Sequence, residues 1–249
     1  MQSAARTHVG RRSGNEDAHL VDEEHGLFVV ADGMGGYEGG EWASRIVVDA
    51  LAEFFRANAV DPDATWPVAL DRNLSFAENL LAAAIRLAHR GVCAGKHGIL
   101  AQMGSTVAAL AIREGQAIIG HVGDSRVYRY RDGDLEQLTR DHSLWEELRA
   151  SGREVADYRD FPYKNVITRA VGMKEMAPSL SKHSLQPSDV FLICSDGLLE
   201  TLDDGAIAAV LGAEDDSSEA CRLLVEGAYD GGSKDNITVV VVRISAASE

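Results

Sequence analysis

Four aspartates in this chain occupy one kind of position. Asp32 ends the apolar run Phe28-Val29-Val30-Ala31, and Asp196 ends Phe191-Leu192-Ile193-Cys194-Ser195. Asp124 follows Ile118-Ile119-Gly120-His121-Val122-Gly123, and Asp235 precedes Asn236 and the run Ile237 to Val242. Each acid is anchored to a rigid strand, the kind of support that holds a site in place. Asp32, Asp124 and Asp196 have glycine beside them, and Asp235 closely follows Gly231-Gly232. Glycine lets backbone or ligand approach closely. One Asp-Gly after a strand is ordinarily only a turn. Four such acids change the odds, because a carboxylate beside a core is costly unless it is paired or bound to metal. No Lys or Arg adjoins Asp32 or Asp196 in sequence. Hard oxygen donors without cysteine or a histidine pair select Mg²⁺, Mn²⁺ or Ca²⁺ over zinc. Two such ions about 3.5–4 Å apart can drive in-line attack on phosphate.

A fifth element is Arg12-Ser13-Gly14-Asn15-Glu16-Asp17. Arg12 offers a planar fork suited to phosphate oxygens. Glu16 and Asp17 add two acids; taken alone, the stretch is a solvated polar loop. The net charge of -15, with no basic run longer than Arg11-Arg12, excludes a nucleic-acid binder and disfavours anionic membranes. Cys93, Cys194 and Cys221 form an odd set without CxxC spacing, which argues against a disulfide framework or thiolate zinc. The N-terminus has no apolar signal core and no stretch approaches a membrane span, so a reducing, cytoplasmic setting is expected.

The elements that must position these groups follow from periodicity. Gly26 to Ala31 and Val190 to Ser195 are continuous apolar runs, as in buried strands. Ala4 to Val9 fits an edge strand. A helix is expected from Glu38 to about Ala57, with Trp42, Ile46 and Phe54 in step, and a second from about Trp66 to Arg90. Thr106 to Arg113, Gln116 to Val122, Arg126 to Arg131 and Leu135 to Leu138 fit a meander of consecutive antiparallel strands, with Asp132-Gly133 as a tight turn. Residues 141–177 are polar and irregular, with a helix over Leu144 to Ala150, and fit a flap inserted in a single domain spanning 1–249. Helices over Asp204 to Leu211 and Ser218 to Asp230 and a β-branched strand, Ile237 to Ile244, complete the chain. Paired helices and runs of strands indicate α+β, as two stacked sheets each covered by a helix pair.

The ordered set of motifs resembles the PP2C-type (PPM) protein phosphatases. It comprises Arg12-x-x-Asn15-Glu16-Asp17, Asp32-Gly33-Met34-Gly35-Gly36, Gly104-Ser105-Thr106, Gly120-His121-Val122-Gly123-Asp124-Ser125-Arg126, Thr139-Arg140-Asp141-His142, Ser195-Asp196-Gly197 and Asp235-Asn236-Ile237-Thr238. The likeness runs from about Thr7 to Ile244, and its compact form is similar to the stand-alone bacterial members. The resemblance implies a four-layer α-β-β-α sandwich with metals at one end of the sheets. It implies that Asp32 bridges two Mn²⁺ or Mg²⁺ ions and that the Gly33 carbonyl contacts one. Asp196 and Asp235 would complete the first ion's protein ligands, and Asp124 with Asp196 would hold a third. Glu16 and Asp17 would hold metal-bound waters, and Arg12 would bind substrate phosphate. It implies dephosphorylation of phosphoserine and phosphothreonine proteins, opposite a Ser/Thr kinase, by a monomer. One departure is Met34, where some members carry a histidine proposed as general acid. Methionine transfers no protons, which leaves a bound water, His142 or His121 as candidates.

Two other classes compete. The strand, Gly-rich loop and helix from Phe28 to Trp42 superficially fit a dinucleotide site, but the third glycine is missing and Asp32 stands where phosphate would approach. A catalytically silent phosphoprotein-binding module of the same fold is disfavoured because all the implied ligands are present. The flap bears Arg149, Arg153, Arg159 and Lys164. In an otherwise acidic chain these are candidates to contact residues flanking a phosphosite.

Overall fold

The computed structural model describes residues 1–36, 38–58, 66, 68–157 and 160–245. Eleven strands and six α-helices are assigned among them. β1 (Gln2–His8), β7 (Arg126–Arg131), β8 (Asp134–Gln137), β10 (Val190–Cys194) and β11 (Ile237–Arg243) form one sheet, in the order β1-β11-β10-β7-β8. β2 (Asp17–Asp22), β3 (Leu27–Met34), β5 (Val107–Arg113), β6 (Gln116–Val122) and β9 (Ser179–Ser184) form the other, in that order, with short β4 (Gly104–Ser105) against the end of β3. Every pairing is antiparallel.

Alternation of side chains sorts each strand between two layers. Phe28 and Val30 of β3, Phe191 and Ile193 of β10, and Val240 and Val242 of β11 meet between the sheets. Leu27, Val29 and Ala31 face the other way, onto α1 (Glu38–Asn58) and α2 (Phe76–Gly95). On the opposite side, Leu192, Cys194, Val239 and Val241 pack beneath α5 (Asp204–Ala213) and α6 (Ser217–Asp230). The result is the expected α-β-β-α sandwich. Continuous apolar runs arise here because both faces of β3, β10 and β11 are covered.

Several expectations need correction. α2 starts at Phe76, not Trp66, because Ser75 and Glu78 form a reciprocal capping box that fixes its first turn. Leu70, within the span expected for that helix, lies outside it and is 54% exposed. On α1 the buried face is Ala43, Val47, Leu51 and Phe54; Trp42, one position off it, is 57% exposed. The four strands from Val107 to Gln137 are not one meander. β5 pairs with β6 in one sheet and β7 with β8 in the other. The chain changes sheets at Gly123, whose φ of +107° is open to glycine and strained for other residues. β2 and β9, both edge strands, were not expected from the sequence. Within 141–177, α3 (Leu144–Ala150) forms as expected, capped by Ser143. A bridge at Ser143–Ile167 closes that segment on itself, and one at Ser105–Val171 ties it back to the body. Arg159 lies outside the described residues. No helix among them is long and apolar enough to cross a membrane.

Candidate metal centre

Each strand-end aspartate reaches one rim of the sandwich through a different device. Asp32 lies in β3 opposite Asp17 of β2. Its backbone is clamped by Thr106: the Asp32 N–H donates to Thr106 Oγ1 at 2.9 Å, and the Thr106 N–H donates to Asp32 O at 2.8 Å. Thr106 Oγ1 also bonds Ser125 Oγ at 2.7 Å, which ties the loop bearing Asp124 to the same point. Asp196 begins a short helix, α4 (Asp196–Leu199), directly after β10. Asp235 precedes β11, and its neighbour Asn236 acts as a staple. Asn236 Nδ2 donates to Val9 O and Gly14 O at 2.8 and 3.0 Å, while its Oδ1 accepts from Glu16 N at 2.8 Å. That staple folds the Arg12 loop over the end of β11.

Gly33 sits where no side chain fits. A Cβ there would stand 2.0 Å from Gly40 O and 2.6 Å from Glu16 O. The start of α1 can therefore close onto β3, and a Cβ on Gly40 would sit 2.8 Å from the Gly33 carbonyl oxygen and 2.4 Å from Glu16 Oε2. Carbonyl and carboxylate thus converge on one spot.

Two cavities meet at this rim. One, of about 640 Å³, is lined by Arg12, Glu16, Asp32, Gly33, Met34, Asn165, Asp196, Asp235 and Asn236 among others. The second, of about 590 Å³, is lined by Asp124, Arg126, Asp141, Lys164, Asn165, Asp196, Glu200 and Lys234 among others. Asp196 and Asn165 belong to both walls. Asp17 lines neither; it lies behind, with Oδ2 accepting from Ser195 Oγ at 2.8 Å. Sequence reasoning thus brought Arg12, Glu16, Asp32, Gly33, Asp196 and Asp235 to one cavity, and Asp124 to the adjoining one. It missed Asn165 and the roles of Thr106, Ser195 and Asn236. These three sit inside the quoted motifs, but their hydroxyls and amide act through backbone contacts that no spacing predicts.

The electrostatics are unfavourable without a counter-charge. Burial pushes the Asp32 carboxyl well above the usual carboxylate range, and Asp17, Asp196, Asp124 and Asp235 push it further. Asp196 is raised for the same reason, by burial and then by Asp124, Asp235 and Asp17. Burial lifts Asp17 to about 6, partly offset by hydrogen bonds from Thr238 and Ser195. Asp124 also stands at about 6, from burial and from Asp141. Glu16 is raised by burial. The one cation in contact, among the described residues, is Arg12, whose Nη2 lies 2.5 Å from Asp235 Oδ2. Asp17 Oδ1, Asp124 Oδ1 and Asp196 Oδ1 are buried without a hydrogen-bond partner. Unpartnered buried carboxylate oxygens are rare and expensive in a folded protein. Among the described residues, no three of these acids are drawn closely enough to grip one ion as they stand. Their mutual repulsion shows that they are nonetheless within electrostatic reach. An all-oxygen donor set with orphaned, desolvated carboxylates fits hard divalent cations.

The two histidines considered as proton donors are occupied elsewhere. His121 Nε2 donates to Arg140 O at 2.8 Å, and His142 Nδ1 accepts the Gly123 N–H at 3.2 Å. Neither lines either cavity. Arg126 is likewise committed: its fork holds Asp141, with contacts of 2.7 to 3.1 Å.

Comparison with known proteins agrees with this geometry. The family model described as Protein phosphatase 2C matches residues 5–222. The serine/threonine protein phosphatase PstP of Mycobacterium tuberculosis is 32% identical over 246 residues, covering 98% of this chain. The chain spans 45% of that relative's length. Protein phosphatase PhpP of Streptococcus pneumoniae is 31% identical over 254 residues, covering 98% of both chains. The crystal structure of the PstP catalytic domain in complex with two manganese ions superposes with a TM-score of 0.81 at 32% identity, covering 98% of each chain. Motif order, layered fold and the acid-lined rim agree with one another, and this chain belongs to the protein phosphatase 2C family.

Proposed function

We propose that the chain is a metal-dependent protein-serine/threonine phosphatase that hydrolyses phosphoserine and phosphothreonine by direct attack of water. The observation that carries this is the pair of carboxylates, Asp32 and Asp196, both raised by burial and by neighbouring aspartates, in the wall of a cavity that also presents an arginine. The family membership and the two manganese ions of the PstP structure support it.

In this proposal Asp32, the Gly33 carbonyl, Asp196 and Asp235 would hold two Mn²⁺ or Mg²⁺ ions, Asp124 with Asp196 would hold a third, and Glu16 in the cavity wall and Asp17 behind it would orient water. Bound there, such ions supply Lewis acidity that lowers the pKa of water and offsets phosphate charge. The residues do the rest. Asp32 and Asp196 surrender their repulsion only to a cation, so binding and charge neutralisation coincide. Arg12 is held over the cavity by Asp235, and its fork can turn to phosphate oxygens when Asp235 has another cation to face. Met34 contributes an apolar wall and no proton. The leaving alkoxide takes its proton from water, because His121 and His142 are turned away into their own hydrogen bonds. Stabilisation is by charge and position rather than by a covalent intermediate.

The same proposal includes residues 1–249 as one catalytic unit with 141–177 as a flap beside both cavities. It includes a cytoplasmic monomer whose substrates are phosphoproteins made by a Ser/Thr kinase, the class of enzyme that must supply phosphoserine and phosphothreonine. Turnover of phosphoserine, phosphothreonine and phosphotyrosine peptides with Mn²⁺ or Mg²⁺ tests the activity. Asp196→Ala and Asp235→Ala should abolish turnover while leaving the circular dichroism spectrum unchanged. Full activity in either variant, or in excess chelator, would overturn the proposal.

A further inference from the structure

His142 is 7% exposed and opens the flap, and its bonds converge on the residue before Asp124. Its backbone N–H donates to Gly123 O at 2.8 Å, and its ring Nδ1 accepts the Gly123 N–H at 3.2 Å. An accepting Nδ1 assigns the ring proton to Nε2, which donates to Ser179 Oγ at 2.9 Å, at the first residue of β9. Burial, and then the neighbouring His121, push the imidazolium pKa down to about 3, so the ring stays neutral and Nδ1 stays an acceptor. The His142 carbonyl accepts Thr168 N–H at 2.8 Å, which brings the far end of the flap to the same point. His121 stacks on the ring with centroids 4.6 Å apart and planes 16° apart, which prevents rotation.

Gly123 is the residue at which the chain changes sheets, and it is enclosed from the other side too. A Cβ there would stand 2.7 Å from the Thr106 methyl. The peptide before Asp124 is thus pinned between Thr106 and His142. Asp124 needs that pinning, because its buried Oδ1 has no hydrogen bond to hold it in direction. Its aim is set by its backbone.

We infer that His142 is a positioning residue: it locks the Gly123–Asp124 backbone to both ends of the flap and so keeps the Asp124 carboxylate directed into the cavity it shares with Asp196. The inference rests on the proposal that Asp124 helps to bind a divalent cation. The flap and the cation position are then one mechanical unit, and a displacement of residues 142–168 reaches Asp124 through a single imidazole.

Two near-isosteric substitutions separate the ring's bonds. In His142→Asn the amide oxygen stands where Nδ1 does and keeps the Gly123 N–H partner. In His142→Gln the amide nitrogen reaches towards Ser179 and the Gly123 partner is lost. Mn²⁺ binding is measured by calorimetry on the full chain, and Gly123 amide exchange by NMR, each in the wild-type and Asp124→Asn backgrounds. The expected result for H142Q is faster Gly123 exchange and about 10–100-fold weaker binding of the weakest Mn²⁺ ion, the usual cost of losing an outer support. H142N should stay within about threefold of wild type, as a partner-keeping substitution should. In the D124N background the H142Q penalty should vanish, since coupled residues are non-additive. His142→Leu, which keeps bulk but offers no acceptor to the Gly123 N–H, should weaken the same ion in the same direction if H142Q fails to fold. Unchanged affinity in H142Q and H142L, or an equal H142Q penalty in D124N, overturns the inference while leaving the phosphatase proposal intact. D124N binding Mn²⁺ as wild type does would overturn the assignment of Asp124, and this inference with it.

Discussion

Asp17→Asn removes one charge from the cluster with little change of shape, and should stabilise the metal-free fold by an amount that shrinks when metal is added. The folded protein holds the Asp17 carboxyl at about 6, against about 3.9 for a free aspartate. That difference between the folded and unfolded chain is worth about 3 kcal/mol. The sign follows from linkage. A raised carboxyl favours folding below the unfolded value and loses that advantage as pH rises through the folded one. Below about pH 4 both states are protonated there and the charge costs nothing; above about pH 6 the full cost is present. Asparagine escapes that cost. Its amide oxygen can still accept from Ser195, and its nitrogen occupies the side where Asp17 Oδ1 now has no partner. For a chain of this length about 3 kcal/mol is worth about 6–12 °C in Tm. Metal-free D17N at pH 7.5 should therefore melt well above metal-free wild type, and the two should converge near pH 4. With saturating Mn²⁺ the wild type should gain Tm and the variant gain less, because the repulsion that the cation relieves is already reduced. Thermal unfolding followed by circular dichroism, with and without chelator at the two pH values, makes the comparison. A metal-free D17N that melts at or below wild type at pH 7.5 would refute the claim that these acids strain the metal-free fold.

Three further outcomes follow from the same geometry. Arg12→Ala should lower kcat/KM for a small aryl phosphate by about 10–100-fold, the size of a lost charged hydrogen bond, while Mn²⁺ binding by calorimetry stays intact. Charge reversal at Arg153 and Lys164 should raise KM for a phosphoprotein but not for the aryl phosphate, and equal effects on both would remove the flap from substrate recognition. Burial alone would raise the Asp22 carboxyl, but hydrogen bonds from His25 and Arg56 outweigh it and hold it low. Asp22→Asn should cost about 1–2 kcal/mol, discounted for the exposure of Arg56. Chemical denaturation should show that difference at neutral pH and show it shrink as pH falls below about 4, where the wild-type carboxyl protonates in the unfolded chain.

The strand-end aspartates are legible in the sequence because three physical signals coincide at each: an apolar run, an abrupt acid, and nearby glycine. The sandwich is legible too, since β3, β10 and β11 are apolar on both faces and demand two covering layers. Other features are written in partners rather than in patterns. β9, Ser179–Ser184, alternates polar and apolar too weakly to announce itself and is a strand because β6 pairs with it. The split of the supposed meander at Gly123 depends on which sheet receives β7, a long-range choice with little local trace. Ser195, Thr106 and Asn236 look like ordinary turn residues until the backbone groups that they bind come near. Trp42 fits a helical stripe by spacing, yet one position of rotation leaves it in solvent.

Strand β1 pairs along its whole length with β11, Gln2 with Arg243 through to His8 with Ile237. The first and last of the eleven strands described are therefore neighbours, although they leave the ribosome far apart in time. Until residues 237–243 emerge, β1 cannot take its place at the edge of its sheet, and Val9 and Gly14 have no Asn236 to bind. Contacts of such sequence separation form slowly, and an unpaired strand is an invitation to mispairing. The nascent chain can complete most of its second sheet early, but the half of the rim bearing Arg12 and Asp235 closes last. A polypeptide released before that point would have a nearly finished scaffold and no grip on phosphate.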